Sequence, residues 1–122
     1  MKPTSYLKLL REKGRPLSEI NPGSDEMALT LEDALLALEK LKDSQTAILG
    51  GDVLTEESGR LIYAYQLWGD EYIYLNWYCE RIPNEGQIDY SERSYFTAKE
   101  SILNARKVSV NFNKKCYIVL VI

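Results

Sequence analysis

The sequence predicts an α+β domain in which about three helices pack on a mostly antiparallel sheet of four or five strands. Three patterns carry this prediction: leucines at helical spacing between residues 31 and 41, alternating apolar residues between 61 and 80, and an apolar C-terminal segment. With 122 residues the chain is long enough to bury one hydrophobic core, so residues 1–122 are predicted to form a single domain.

Two helices are predicted in the first third of the chain. The first starts at Thr4 or Ser5, which can cap it, and ends at Gly14. The second starts at Thr30, because Thr30 and Asp33 have the spacing of a capping box. Its core-facing residues recur at helical spacing: Leu31, Leu35, Leu38 and Leu41.

The apolar run from Ala47 to Leu54 is predicted to be a buried strand around which the chain is organised. Gly50 and Gly51 inside it indicate a bulge, a bend or a close approach of another segment. Asp52 follows in an apolar setting, where it is expected to accept hydrogen bonds. We assign Gly50, Gly51, Asp52 and Trp77 to the architecture; a directly functional Asp52 is the alternative.

A hairpin is predicted for the middle of the chain. Alternation predicts a strand over residues 61–68, a turn at Trp68-Gly69-Asp70-Glu71 and a long strand that ends near Glu80. The second strand has a predicted core face of Ile73, Leu75, Trp77 and Cys79. Its other face is a row of Tyr72, Tyr74, Asn76, Tyr78 and Glu80.

The C-terminal part is predicted to contain a helix and a central strand. The helix spans about Glu92–Arg106, and residues 108–113 follow as a weak strand or an extended arm. Residues 116–122 are apolar on both faces, as in a strand covered on both sides.

The net charge of −3 is unevenly distributed. Residues 52–92 contain nine acidic and two basic residues, residues 93–122 one acidic and six basic, and residues 1–51 are nearly neutral. The acidic middle disfavours nucleic-acid binding there and favours a basic partner. The alternative is that one solvated face of the sheet is simply acidic.

The composition excludes most catalytic and metal-binding arrangements. Without histidine, the usual zinc ligand and the Ser–His and Cys–His pairs are missing, and Gly50-Gly51 lacks the spacing of a phosphate loop. We therefore expect no enzyme activity, no metal and no cofactor. A carboxylate pair remains conceivable among Asp52, Asp70, Glu71 and Glu80.

The expected location is the cytosol. No secretory segment and no run long enough to cross a membrane are found. Cys79 and Cys116 are predicted to be buried and reduced.

The nine tyrosines are the second unusual feature. Tyr72, Tyr74 and Tyr78 on one strand face, beside Asp70, Glu71 and Glu80, are predicted to form a protein-recognition surface, because tyrosine buries area at low entropic cost. The alternative is that this face packs under a helix.

Several segments resemble the immunity protein 40 family of bacterial polymorphic-toxin systems. The resemblance covers about residues 17–105. It rests on Ile20-Asn21-Pro22-Gly23-Ser24-Asp25-Glu26-Met27-Ala28-Leu29, Ile48-Leu49-Gly50-Gly51-Asp52-Val53, Asn76-Trp77-Tyr78-Cys79-Glu80 and Tyr90-x-x-Arg93-Ser94-x-x-x-Ala98.

The resemblance implies a small cytosolic protein that binds and neutralises one toxin domain, as in contact-dependent growth inhibition. The toxin would often be a nuclease, whose basic cleft suits an acidic inhibitor. The predicted contact residues are Asp70, Glu71, Tyr72, Tyr74, Glu80, Glu85 and Asp89. Two alternatives are a small ligand-binding domain or enzyme that uses Asp52 in a pocket, and an adaptor subunit of a larger complex.

Overall fold

A six-stranded antiparallel sheet forms the centre of the computed structural model, which describes residues 3–122. The strands are β1 (Arg15–Pro16), β2 (Met27–Thr30), β3 (Gly50–Glu57), β4 (Arg60–Tyr63), β5 (Trp77–Tyr78) and β6 (Cys116–Val121). In the order β1-β2-β6-β3-β4, β6 is central and β5 pairs with β3. The α+β prediction is confirmed.

Four α-helices accompany the sheet: α1 (Thr4–Lys13), α2 (Leu31–Asp43), α3 (Ala64–Trp68) and α4 (Gln87–Phe112). Two short 3₁₀ helices span Leu17–Glu19 and Asp70–Leu75. The predicted start of α2 is confirmed, because the Thr30 hydroxyl accepts a hydrogen bond from the Asp33 N–H at 3.2 Å.

Helix α4 is longer than the predicted Glu92–Arg106, and the weak strand predicted over residues 108–113 is its last part. The alternation of apolar residues there was misleading. Ala105 and Ser109, one turn apart, continue the buried stripe of the helix, whereas Val110 is exposed. The helix ends at Asn113, which has a left-handed backbone with φ 52° and ψ 46°.

The sheet has one face covered by helices and one open face. Val53 and Ile118 belong to the larger cluster under α1, α2 and α4, together with Leu38 and Ile102. The other face, which no α-helix of residues 3–122 covers and which we call the open face, carries a smaller hydrophobic cluster. This cluster contains Leu54, Leu61, Tyr117 and Val119 together with Leu17. Both faces of β6 are therefore buried, as predicted for a central strand.

The predicted hairpin between residues 61 and 80 is wrong. Strands β4 and β5 do not pair with each other, because both pair with β3 along the same edge: Tyr63 lies opposite Leu54, and Trp77 lies opposite Gly51. Residues 64–76 leave the sheet between them as α3 and the second 3₁₀ helix. We call residues 64–76 the helical excursion.

Strands β1 and β2 were not predicted. β1 is only two residues long and contains Pro16, which is tolerated at a sheet edge. β2 has four residues and runs directly into the cap of α2 at Thr30, so its pattern merges with that of the helix.

Candidate functional site

The helical excursion is held against the core by its own buried residues. Ala64, Trp68 and Leu75 join the cluster on the helix-covered face. The Trp68 ring also stacks on Phe112 at the end of α4, with 5.3 Å between ring centroids. The excursion is therefore a packed element and not a loose loop.

Its outer side is aromatic and acidic. Tyr74 is 63% exposed and Ile73 56%, and Asp70 and Glu71 are exposed beside them. Tyr72 is half-buried, with its edge against Phe112 at 5.4 Å, and its ring lies 6.3 Å from that of Tyr74. The structure thus brings together four of the predicted contact residues.

Ile73 was predicted to be in the core and is exposed instead. Its neighbours Leu75, Trp77 and Cys79 are buried as predicted. The difference arises because residues 70–75 form a 3₁₀ helix, in which three residues make a turn, so the period-two pattern does not apply.

The other three predicted contact residues lie near the start of α4. Glu80 and Asp89 are exposed. Glu85 accepts two hydrogen bonds from Arg93, each of 2.8 Å, and this guanidinium lowers the pKa of Glu85 to about 2. Arg93 also donates to the Glu80 carbonyl at 2.6 Å, so it fixes the connection from β5 to α4.

The seven predicted residues therefore fall into two groups. Tyr72 touches Phe112 at the C-terminal end of α4, whereas Asp89 lies in its first turn. Positions 89 and 112 are about 35 Å apart along the axis at the usual rise of ~1.5 Å per residue. The groups lie towards opposite ends of this helix.

The two glycines of β3 provide room for Trp77. A Cβ on Gly51 would lie 2.3 Å from the Trp77 ring, and one on Gly50 would lie 2.4 Å from the Trp77 carbonyl oxygen. Where the excursion interrupts the edge of β3, the Asn76 side chain accepts a hydrogen bond from the Val53 N–H at 2.8 Å. The glycines and Asn76 thus let β5 rejoin the sheet.

The prediction that the Asp52 carboxylate accepts hydrogen bonds is wrong for the part of the chain that the structure describes. Within residues 3–122, no hydrogen bond or ion pair reaches its carboxylate, which lies half-buried on the open face. Burial raises the pKa of Asp52. The pKa of Glu26 is also raised, first by burial and then by the charge of Asp52. Pairing across β6 creates this proximity, which no local sequence signal reveals.

Several open clefts lie on the surface of the described chain. One cleft of about 440 Å³ lies between the start of α2 and the end of α4 and is lined by Arg106, Lys114 and Lys115. Asp52 lines neither this cleft nor four others found among the described residues. Residues 3–122 contain no group of three or more Cys, Asp or Glu residues placed to hold a metal ion. No helix in this range is both long and apolar enough to span a membrane.

The family model of immunity protein 40 matches residues 16–122. The chain belongs to the immunity protein 40 family. It is therefore an immunity protein, and its partner is a toxin protein. The match to this family extends the resemblance seen in the sequence to the central strand β6 and leaves out α1. No curated protein and no solved structure is significantly similar to this immunity protein.

Proposed function

We propose that this immunity protein binds and neutralises its cognate toxin domain in the cytosol, without catalysis, through an acidic, tyrosine-rich surface. The observation that carries this proposal is the outer side of the helical excursion. There Tyr74 and Ile73 are exposed next to Asp70 and Glu71, on an element fixed by Trp68. Exposed aromatic residues on a rigid support bury area on binding at little entropic cost.

The toxin is proposed to be a nuclease delivered by contact-dependent growth inhibition. A nuclease binds an anionic substrate, so its cleft is expected to be basic and to attract an acidic inhibitor. Residues 52–92, which include the excursion, contain nine of the eighteen acidic residues of the chain and two of its fifteen basic ones. This charge distribution supports a basic partner.

The proposed contact residues have different roles. Tyr72 and Tyr74 bury area at the interface, while Asp70 and Glu71 steer the encounter. The group near the start of α4 is proposed as a second acidic contact region: Glu80 and Asp89 contribute exposed charges, and Glu85, paired with Arg93, holds the connection from β5 to α4 in a fixed geometry.

Co-expression with the C-terminal domain encoded by the gene immediately upstream tests the proposal. We expect a tight one-to-one complex with nanomolar affinity or better, and restored growth of cells that produce the toxin. A nuclease assay on the free toxin identifies its reaction. If neither binding nor growth rescue is observed, the proposed pairing is wrong.

Charge-reversal variants test the surface. The triple substitution Asp70→Lys, Glu71→Lys and Glu80→Lys is expected to slow association at least tenfold at low salt, because steering depends on these charges. Tyr74→Ala is expected mainly to speed dissociation. Glu100→Lys, an exposed site on α4, is the control; an equal effect there would contradict a localised surface.

A further inference from the structure

Four carboxylates lie on or beside the open face of the sheet, the exposed Glu19 and the partly buried Glu26, Asp52 and Glu56, and two of them have cationic partners. Arg15 donates to Glu19 at 2.9 Å and to Glu56, and Lys115 lies 3.7 Å from Glu56. The Leu61 N–H, which donates to Glu19 at 2.7 Å, and then Arg15 lower the pKa of Glu19, and Arg15 and Lys115 lower the pKa of Glu56. This end of the face is electrostatically satisfied within the chain.

The other two carboxylates have no such partner. Within residues 3–122, no ion pair or side-chain hydrogen bond is made by the Asp52 or the Glu26 carboxylate, and burial raises the pKa of both. Exposed Asp25 adds a third negative charge nearby and also raises the pKa of Glu26. Among residues 3–122, the same face is therefore neutralised at one end and carries uncompensated negative charge at the other.

The surface beside the half-buried Asp52 is also partly open to solvent. Its neighbour on the same face of β3 is Gly50, which has no side chain, and the residue beside Gly50 is Tyr78, which is 86% exposed. On the other side Tyr63 lies opposite Leu54 and stacks on Tyr65, with 6.1 Å between ring centroids. We call Asp52, Glu26, Tyr63, Tyr65 and Tyr78 the open-face strip.

We propose that the open-face strip receives one cationic side chain of the cognate toxin, an arginine or a lysine, with Asp52 as its carboxylate partner. This inference rests on the proposed function and adds a second contact region to it. A guanidinium pairs well with carboxylates and packs on tyrosine rings, and the strip offers both groups side by side. Charge complementarity selects this occupant, because nothing else in the described chain balances Asp52 and Glu26.

The proposal predicts opposite effects on folding and on binding. In the free protein the half-buried, unpaired Asp52 carboxylate is unfavourable, so the nearly isosteric Asp52→Asn is expected to leave the melting temperature unchanged or to raise it. In the complex the same change removes the partner of a desolvated cation. We expect affinity for the toxin domain to fall at least tenfold, mainly through faster dissociation.

Binding kinetics of the full chain and its variants with the purified toxin domain test the expected loss of affinity. Glu57→Gln is the matched control, since it removes one exposed negative charge from the same strand, and it is expected to change affinity less than threefold. Tyr78→Ala is a second variant whose folding is not at risk, because its side chain is almost fully exposed. It is expected to weaken binding as well.

The outcomes separate this inference from the proposed function. If the unaltered protein does not bind the toxin domain, the proposed function fails. If it binds, and the Asp70, Glu71 and Glu80 reversals weaken the complex while Asp52→Asn and Tyr78→Ala do not, only the open-face strip is overturned. A clear drop in melting temperature for Asp52→Asn would also overturn it, because Asp52 would then serve the fold.

Discussion

At the scale of single residues, the contact between Gly51 and Trp77 determines how β5 joins the sheet. The indole lies directly on the backbone of Gly51, where any Cβ would come within 2.3 Å of the ring. Close contacts of this kind are a common reason for glycine inside a strand.

Gly51→Ala is expected to destabilise the protein by about 1–3 kcal/mol, because the added methyl forces the ring and the strand apart. The cost should shrink when Trp77 is also replaced by leucine, whose smaller side chain leaves space. Urea denaturation of the single and double variants measures the coupling. Equal costs of Gly51→Ala in both backgrounds would contradict the contact.

The Glu85–Arg93 ion pair is expected to make the stability of the fold depend on pH. Arg93 lowers the pKa of Glu85 from 4.5 to about 2, so the pair stabilises the fold above pH 4.5 and loses this effect as pH falls towards 2. Denaturation of the Glu85→Gln, Arg93→Gln and double variants at several pH values gives a double-mutant cycle that measures the coupling free energy of the pair. Coupling should be constant near neutral pH and decline below pH 4.5; coupling that grows in acid would contradict the pair.

At the scale of elements, the helical excursion is the feature that sequence patterns missed. Residues 61–68 fit two periods at once: Leu61 and Tyr63 alternate as in a strand, while Ala64 and Trp68 are spaced by four residues and both are buried. Gly69 then ends α3 with φ 128° and ψ 150°, a conformation that is almost restricted to glycine. The helical period prevails because it buries Trp68 against Phe112.

Gly69→Ala is expected to loosen the excursion, because alanine is strained at this φ and its Cβ would lie 2.4 Å from the Glu71 carboxylate. Hydrogen exchange of the Tyr72 amide, which donates to the Gly69 carbonyl at 3.0 Å, should become faster. Gly59→Ala is the control, with φ 80° and no atom within 4 Å of the added methyl. It should lower overall stability without a selective effect at Tyr72.

Elements with strong local signals were predictable. Thr30 and the leucine stripe identified α2, and the apolar segment at the C-terminus identified the central strand. Strands β1 and β2 have two and four residues, so their patterns are too short to read, and their pairing depends on residues far along the chain. The same limit applies to the candidate site. Tyrosines and acidic residues were visible in the sequence, but the proximity of Asp52 to Glu26 depends on pairing across β6.

At the scale of the whole molecule, charge is separated between two regions. The excursion and the connection to α4 are acidic, while the end of α4 and the residues before β6 carry Arg106, Lys107, Lys114 and Lys115. Because the excursion packs on Phe112, it lies next to the basic end of α4, so a basic partner is expected to be attracted to the acidic residues and repelled by the neighbouring basic ones, which orients the encounter.

Association with the toxin domain is expected to slow at least tenfold when ionic strength rises from about 20 mM to about 500 mM, because the screening length shortens to a few ångströms. Neutralising Lys107 and Lys114 to glutamine should leave association unchanged or speed it, whereas neutralising Asp70 and Glu71 should slow it. Stopped-flow kinetics at several salt concentrations provide the comparison. A rate independent of salt would argue against steering.

One edge of β3 pairs first with β5 and then with β4, and the helical excursion lies between these two strands in sequence. Because β4 and β5 each pair with β3 in a register of their own, the helical excursion is inserted between two strands whose positions are fixed. Its exposed residues can change without shifting either strand, provided that Ala64, Trp68 and Leu75 still fill the core and Gly51 still accommodates Trp77. Under the proposed function, one sheet and one core could therefore display different exposed side chains on this segment, and a change of toxin partner would not require a change of fold.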